Sequence, residues 1–127
     1  MLKGSCTLNQ HGFTLIELIS AMVIIGVMAS VGVKKMDFIS DTATDRAMLE
    51  AVKELNIRES LTWTNLKLSR AGWVDDTQLF AVMDTDLGAD YKWTAGPNAL
   101  GGTLSFRTKS IALNRTASTV SSIGCWQ

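Results

Sequence analysis

Histidine occurs once in this chain, proline once and cysteine twice, and twelve Lys and Arg balance twelve Asp and Glu. Each scarcity narrows the function. One imidazole and two thiols leave little material for a His-based triad or a Cys/His metal cluster. A formal charge of zero argues against a bulk electrostatic grip on nucleic acid or an anionic membrane surface. The few prolines and ten glycines do not suggest low complexity or disorder, and no internal repeat is visible. At 127 residues there is room for one domain. What the chain does have is apolar side chains, 46% of its residues, and they are unevenly placed.

From Phe13 to Val33 the chain reads FTLIELISAMVIIGVMASVGV, 21 residues of which 15 are apolar and only Glu17 is ionisable. A helix of that length spans about 31 Å, close to the roughly 30 Å hydrocarbon core of a bilayer. The competing reading is a buried core helix. A remainder of 94 residues, 34–127, could hardly wrap a helix apolar on all sides. The segment is therefore expected in lipid, or in a protein environment that imitates lipid. Before it lies the polar leader MLKGSCTLNQHG, with Lys3 and His11. A secretory signal would have a shorter apolar run followed by a small-residue cleavage site. Here the small residue, Gly12, precedes the run, so a cut there would leave the apolar segment on the product. Lys3 on one side and Lys34 and Lys35 on the other leave membrane orientation open.

Glu17 is the informative residue. A carboxylate at mid-span costs about 2.5–3.5 kcal/mol, and less near the interface. Either it reaches the headgroups or is protonated, or it meets a positive group from another subunit. Cleavage after Gly12 would create such a group, the amine of Phe13. Between parallel helices shifted along their axes, the amine of one could meet the carboxylate of the next. In a dry bundle, where an unpaired partner is costly, that pair would set axial register.

The run Gly12-Phe13-Thr14-Leu15-Ile16-Glu17-Leu18 resembles the class III signal of type IV prepilins and type II secretion pseudopilins, and the likeness extends over about residues 9–55. The resemblance implies cleavage between Gly12 and Phe13 by a prepilin peptidase and N-methylation of the Phe13 amine. It also implies a cytoplasmic leader and a periplasmic or surface-exposed C-terminal part. Phe13 and Glu17 would carry subunit assembly into a helical homo-oligomeric filament on an inner-membrane platform. The subunit would sit in membrane lipid as a single-pass protein until then. Three features depart from the common pattern. Lys34 stands where many members have proline, the leader ends Gln-His-Gly, and Cys6 lies in the leader, so processing would leave Cys125 without an intrachain partner.

Beyond Val33 the pattern turns amphipathic. Met36, Ile39, Ala43, Ala47, Met48, Ala51, Val52 and Leu55 recur at three- and four-residue steps between charged positions. No proline interrupts Phe13–Arg70, and Gly72 is a stop signal. One long helix is expected, lipid-buried first and then packed on a small domain. Asp75 or Asp76 would cap a short element over Leu79–Met83, helix or strand, ending near Gly88. Gly96-Pro97-Asn98 and Gly101-Gly102 read as turns, Thr103–Arg107 and Ser110–Leu113 as a hairpin, and Thr119–Ser121 as a third strand. The fold class is thus α+β, with Tyr91, Trp93, Leu104, Phe106 and Ile111 buried between an antiparallel sheet and the helix.

Other chemistry is thinly supported. Asp84, Asp86 and Asp90 suggest a calcium loop, but Gly88 falls at a ligand position and no later glutamate completes an EF-hand. A solvated acidic turn is the preferred reading, and no metal or other cofactor is assigned. Without His11, no imidazole remains in the processed chain, and no spacing suggests a nucleophile elbow or phosphate loop. A non-enzymatic role follows. Trp63, Trp73, Trp93 and Trp126 read as packing rather than as a ligand surface. Cys125 reads as a buried or reduced thiol, with intersubunit pairing as the other option. Asn114-Arg115-Thr116 matches a glycosylation sequon and is given no role. The domains expected are leader 1–12, membrane and assembly helix 13–33, and pilin domain 34–127. A type IV pilin is the first reading, a secretion pseudopilin the second. A single-pass anchored binding module that never polymerises is the reading from a different class.

Overall fold

The computed structural model describes residues 12–127; Lys3, Cys6 and His11 of the expected leader lie outside the described residues. A single helix, α1, runs from Leu15 to Leu68 over 54 residues. It is long because no proline removes a donor along it. It ends as expected near glycine: Gly72 lies just beyond, in the left-handed region at φ 72°, and its N–H donates to Ser69 O at 3.1 Å.

Two compact units divide the chain, one up to Ile39 and the other Ser40–Gln127, and α1 contributes to both. In the first unit every described residue is exposed. In the second, α1 buries Thr44, Met48, Ala51, Leu55 and Glu59, a stripe at three- and four-residue steps. The expected stripe was wider. Ala43 is exposed, and Ala47 and Val52 are half-buried. Met36 and Ile39 are likewise exposed, 75% and 64%.

A short helix, α2, spans Asp76–Val82. Asp75 is its N-cap, accepting from Gln78 N at 2.8 Å, which settles the choice between helix and strand. Leu79 turns inward from α2 and is fully buried. The helix stops at Val82, short of Gly88, because two successive Asx turns follow. Asp86 N–H donates to Asp84 Oδ1 and Gly88 N–H to Asp86 Oδ1, both at 2.9 Å.

Three antiparallel strands follow: β1 Tyr91–Asn98, β2 Gly101–Phe106 and β3 Lys109–Asn114, in the order β1-β2-β3. The β2–β3 hairpin forms where the alternation placed it, with Phe106 opposite Lys109 across a tight turn and Arg107 at φ 55°. Two expectations fail. The third strand is β1, not Thr119–Ser121, which lies in a turn closed by Thr119 N–H donating to Ser122 O at 2.8 Å. Gly96-Pro97-Asn98 lies inside β1 and Gly101-Gly102 inside β2, where they pair rather than forming the expected turns. Proline has no N–H to donate, and pairing skips from Ala95↔Thr103 to Asn98↔Gly101 across it.

The core joins Ala51 and Leu55 of α1, Leu79 of α2, Met83, Leu104 of β2, Leu113 of β3, and Trp126. Of the five residues expected inside, Leu104 is fully buried, while Tyr91, Trp93, Phe106 and Ile111 are half-buried. Tyr91 stacks on Phe106 at 4.8 Å between ring centroids, and its hydroxyl donates to Ala47 O at 3.0 Å. The architecture is α+β and pilin-like, a long N-terminal apolar helix with a small three-stranded sheet.

An ion cluster extends this core. Arg115, only 4% exposed, places all five guanidinium donors. Nε and one terminal nitrogen reach Glu59 at 2.8 and 2.5 Å. The two terminal nitrogens reach Asp76 at 2.8 and 2.6 Å, and one also reaches Ala99 O at 2.9 Å. Glu59, 0% exposed, further accepts from Ser118 Oγ at 2.8 Å and Trp126 Nε1 at 2.9 Å. Burial works against the Arg115 charge, but hydrogen bonds to Asp76 and Glu59 outweigh it and hold the pKa above the ordinary value. The Arg115 hydrogen bonds hold the Asp76 carboxyl below its own ordinary value, against burial.

Candidate functional site

The candidate site is the amino end of α1 and the apolar surface that follows it. Thr14 is the residue before the helix, and its carbonyl accepts from Leu18 N at 3.2 Å. Glu17 stands three residues on, in the first turn. Its Oε2 accepts from Thr14 N–H at 2.8 Å and from Thr14 Oγ1 at 2.9 Å, while Glu17 N–H points back to Thr14 Oγ1 at 3.4 Å. This is a capping box, two otherwise orphaned helix-terminal donors satisfied reciprocally. The signal for it, a threonine three residues before a glutamate ahead of an apolar run, is present in the sequence but was not part of the expectation above. The position also suits a negative charge, since the first helical turn carries the positive end of the macrodipole.

The box engages one carboxylate oxygen only. Glu17 Oε1 accepts no hydrogen bond among the described residues. Gly12 and Phe13 lie ahead of the helix, and Phe13 is 88% exposed. The bond expected to be cut between them thus lies on accessible chain outside the helix. In this uncut chain the Phe13 nitrogen is an amide, and the donors to the Glu17 carboxylate are those of Thr14.

Past Glu17, Leu18 through Val33 present apolar side chains outward around the helix. α1 is the one helix among the described residues long and apolar enough to cross a membrane, and the apolar window is unburied. The polar Ser20 is satisfied locally, its Oγ donating to Ile16 O at 2.7 Å. Among the described residues of this segment, the polar side-chain groups left without a protein partner are the second Glu17 oxygen and the Ser30 hydroxyl.

Residues 7–33 match the family described as the prokaryotic N-terminal methylation motif. The chain carries a class III prepilin signal. The match covers the end of the leader, Gly12, Phe13 and Glu17, and stops where the apolar run stops. The signal is that of type IV pilin and pseudopilin precursors. No curated protein and no solved structure is significantly similar to the chain.

The remaining candidate residues are placed as follows. Asp84 and Asp86 do not form an open carboxylate cage. Arg58 donates to their carbonyl oxygens at 3.3 and 2.6 Å and lies 3.2 Å from the Asp84 carboxylate. A guanidinium thus sits where a cation would. Asp90 is exposed beside Tyr91, whose hydroxyl pKa is raised by burial and then by the Asp90 and Glu50 charges. Among the described residues no group of three or more His, Cys, Asp or Glu side chains could hold a metal ion. Cys125 is an exposed free thiol, not a buried one. Its N–H and C=O are turned toward Thr116, whose Oγ1 also lies 3.5 Å from the sulfur. Of the tryptophans only Trp126 is fully buried. Trp63, Trp73 and Trp93 are half-buried, and the four meet as two tilted pairs, Trp63 with Trp73 and Trp93 with Trp126.

Proposed function

We propose that this chain is a structural subunit of a type IV pilus, cut between Gly12 and Phe13, N-methylated at Phe13, and polymerised through residues 13–33. Residues 34–127 form the outward-facing pilin domain. The observation that carries the reading is Glu17. It is the only ionisable residue of an exposed 21-residue apolar segment, within the methylation motif, and one of its carboxylate oxygens is unused. A plain membrane anchor has little use for an acid there.

The mechanism is assembly. Cleavage by a prepilin peptidase turns the Phe13 nitrogen from an amide into a cationic amine. In the bilayer, the Thr14 box keeps Glu17 supplied with two donors. When helices bundle on the inner-membrane platform, lipid is replaced by neighbouring apolar helices, and the amine of one subunit meets the free oxygen of the next. Breaking such a pair in a dry environment costs about 3–5 kcal/mol, enough to select one axial register from many that apolar packing alone would accept. Phe13 and Glu17 are one helical turn apart, about 6 Å along the axis, so the pairing displaces neighbours lengthwise and propagates as a helix.

Intact mass of protein recovered from its native host tests this. The expected species begins at Phe13 and carries one added methyl; a species retaining Met1 contradicts the proposal. Long fibres at the cell surface by electron microscopy distinguish a pilus from the short periplasmic filament of a secretion system.

A further inference from the structure

Immediately past the apolar run, α1 carries Lys34, Lys35 and Asp37, all three exposed. Their charges go unused within the chain: among the described residues none of the three has an ion-pair partner. Further along the helix, Glu50 pairs with Lys53 and Glu54 with Arg58, each at 2.8 Å, with the acid first. Lys34 and Asp37 share the spacing of Glu50 and Lys53 but stand in the reverse, weaker order. Lys35 and Asp37 are two residues apart, about 160° around the helix, so neither reaches the other. Met36, Phe38 and Ile39 are exposed as well, so the uncovered apolar surface continues past these charges.

The proposed filament fixes what would lie opposite them. With the Phe13 amine of one copy level with Glu17 of its neighbour, every residue of that copy is level with the residue four positions further along the neighbour. Lys35 then lies level with Ile39 of the neighbouring copy, about 3 Å past its Asp37. Packed helix axes run about 8–10 Å apart, a gap that a lysine stem and an aspartate together span, and the stem covers Ile39 on the way. Lys34 is the poorer candidate. It sits only about 60° from Asp37, on that residue's own side of the helix.

We propose that Lys35 of each copy pairs with Asp37 of its neighbour, a second rung of charge about 30 Å along the helix from the Phe13–Glu17 rung. The pairing rests on the filament reading and adds which charges meet at the far end of the apolar bundle. Because Lys35 and Asp37 face nearly opposite ways, each copy offers its lysine to one neighbour and its aspartate to another. Such a contact is head-to-tail and extends a row of copies instead of closing a pair. Both rungs accept the same four-residue offset, so the far end adds attraction without disturbing the register that the near end sets.

Electron microscopy of sheared cell-surface filaments from the native host tests this. Asp37→Lys and Lys35→Asp should each cut fibre yield by about tenfold or more, because each sets like charges against one another. Combining the two restores opposite signs and should return fibres toward the unaltered yield. Should the reversed chains fail to accumulate in the membrane, disulfide trapping decides. In a background of Cys6→Ser and Cys125→Ser, chains with Lys35→Cys and chains with Asp37→Cys should cross-link when expressed together and not when expressed apart. Single reversals at full yield, a double reversal without recovery, or no mixed cross-link would each overturn the pairing, while fibres from the unaltered chain keep the filament reading standing. Absence of fibres from the unaltered chain would overturn both.

Discussion

In the proposed assembly Glu17 serves two purposes, on different oxygens. Oε2 caps its own helix through Thr14, and Oε1 remains for a partner. Substitution separates them. Glu17→Gln keeps an oxygen acceptor for the capping box but has no charge for an amine. Membrane insertion and helix content by circular dichroism should stay at the unaltered level, while fibres disappear from electron micrographs. Fibres at normal yield from the Gln variant would show that the cap, not the charge, matters. Glu17 was legible in the sequence because an acid inside an apolar run is conspicuous. Glu59 was not, although it continues the buried stripe four residues beyond Leu55. A charged side chain on an inward face points to a buried partner, but that partner, Arg115, is 56 residues away and sits within a triplet that reads as a sequon. Periodicity can flag such an acid but cannot supply its counter-ion.

At the scale of elements, α1 was legible because its signals are local, an unbroken proline-free run and a glycine stop, while the threonine–glutamate start went unread. The β2–β3 hairpin was legible for the same reason, through alternation. β1 was hidden by Gly96-Pro97, which read as a turn but which the strand absorbs as an irregularity in register. Glycine has a different meaning at Gly101. Its φ is 131°, and a Cβ there would lie 2.0 Å from Leu113 O, across the hairpin. Gly101→Ala should therefore push β2 from β3 and lower the stability of the domain by about 1–3 kcal/mol, measured by thermal unfolding of the full chain. An unchanged melting temperature would mean the hairpin is less tightly closed than the structure shows.

For the molecule as a whole, the division of labour follows from where apolar surface is hidden. Ser40–Gln127 has its own core; the segment before it exposes its apolar residues all around. The first buries apolar side chains against one another, while the second leaves its own uncovered. The pilin-like plan was legible from the motif and the amphipathic continuation of the helix, while the ion cluster depends on contacts between distant parts of the chain. In the proposed filament, copies of the segment would surround it, and the amine–carboxylate pair would set how those copies are staggered. The most direct measurement is the separation, in a density map of the assembled filament, between the Phe13 amine of one protomer and the Glu17 carboxylate of a neighbour. A nitrogen–oxygen distance within about 4 Å is expected. A filament in which Glu17 touches only its own Thr14, with every neighbouring amine elsewhere, would contradict it.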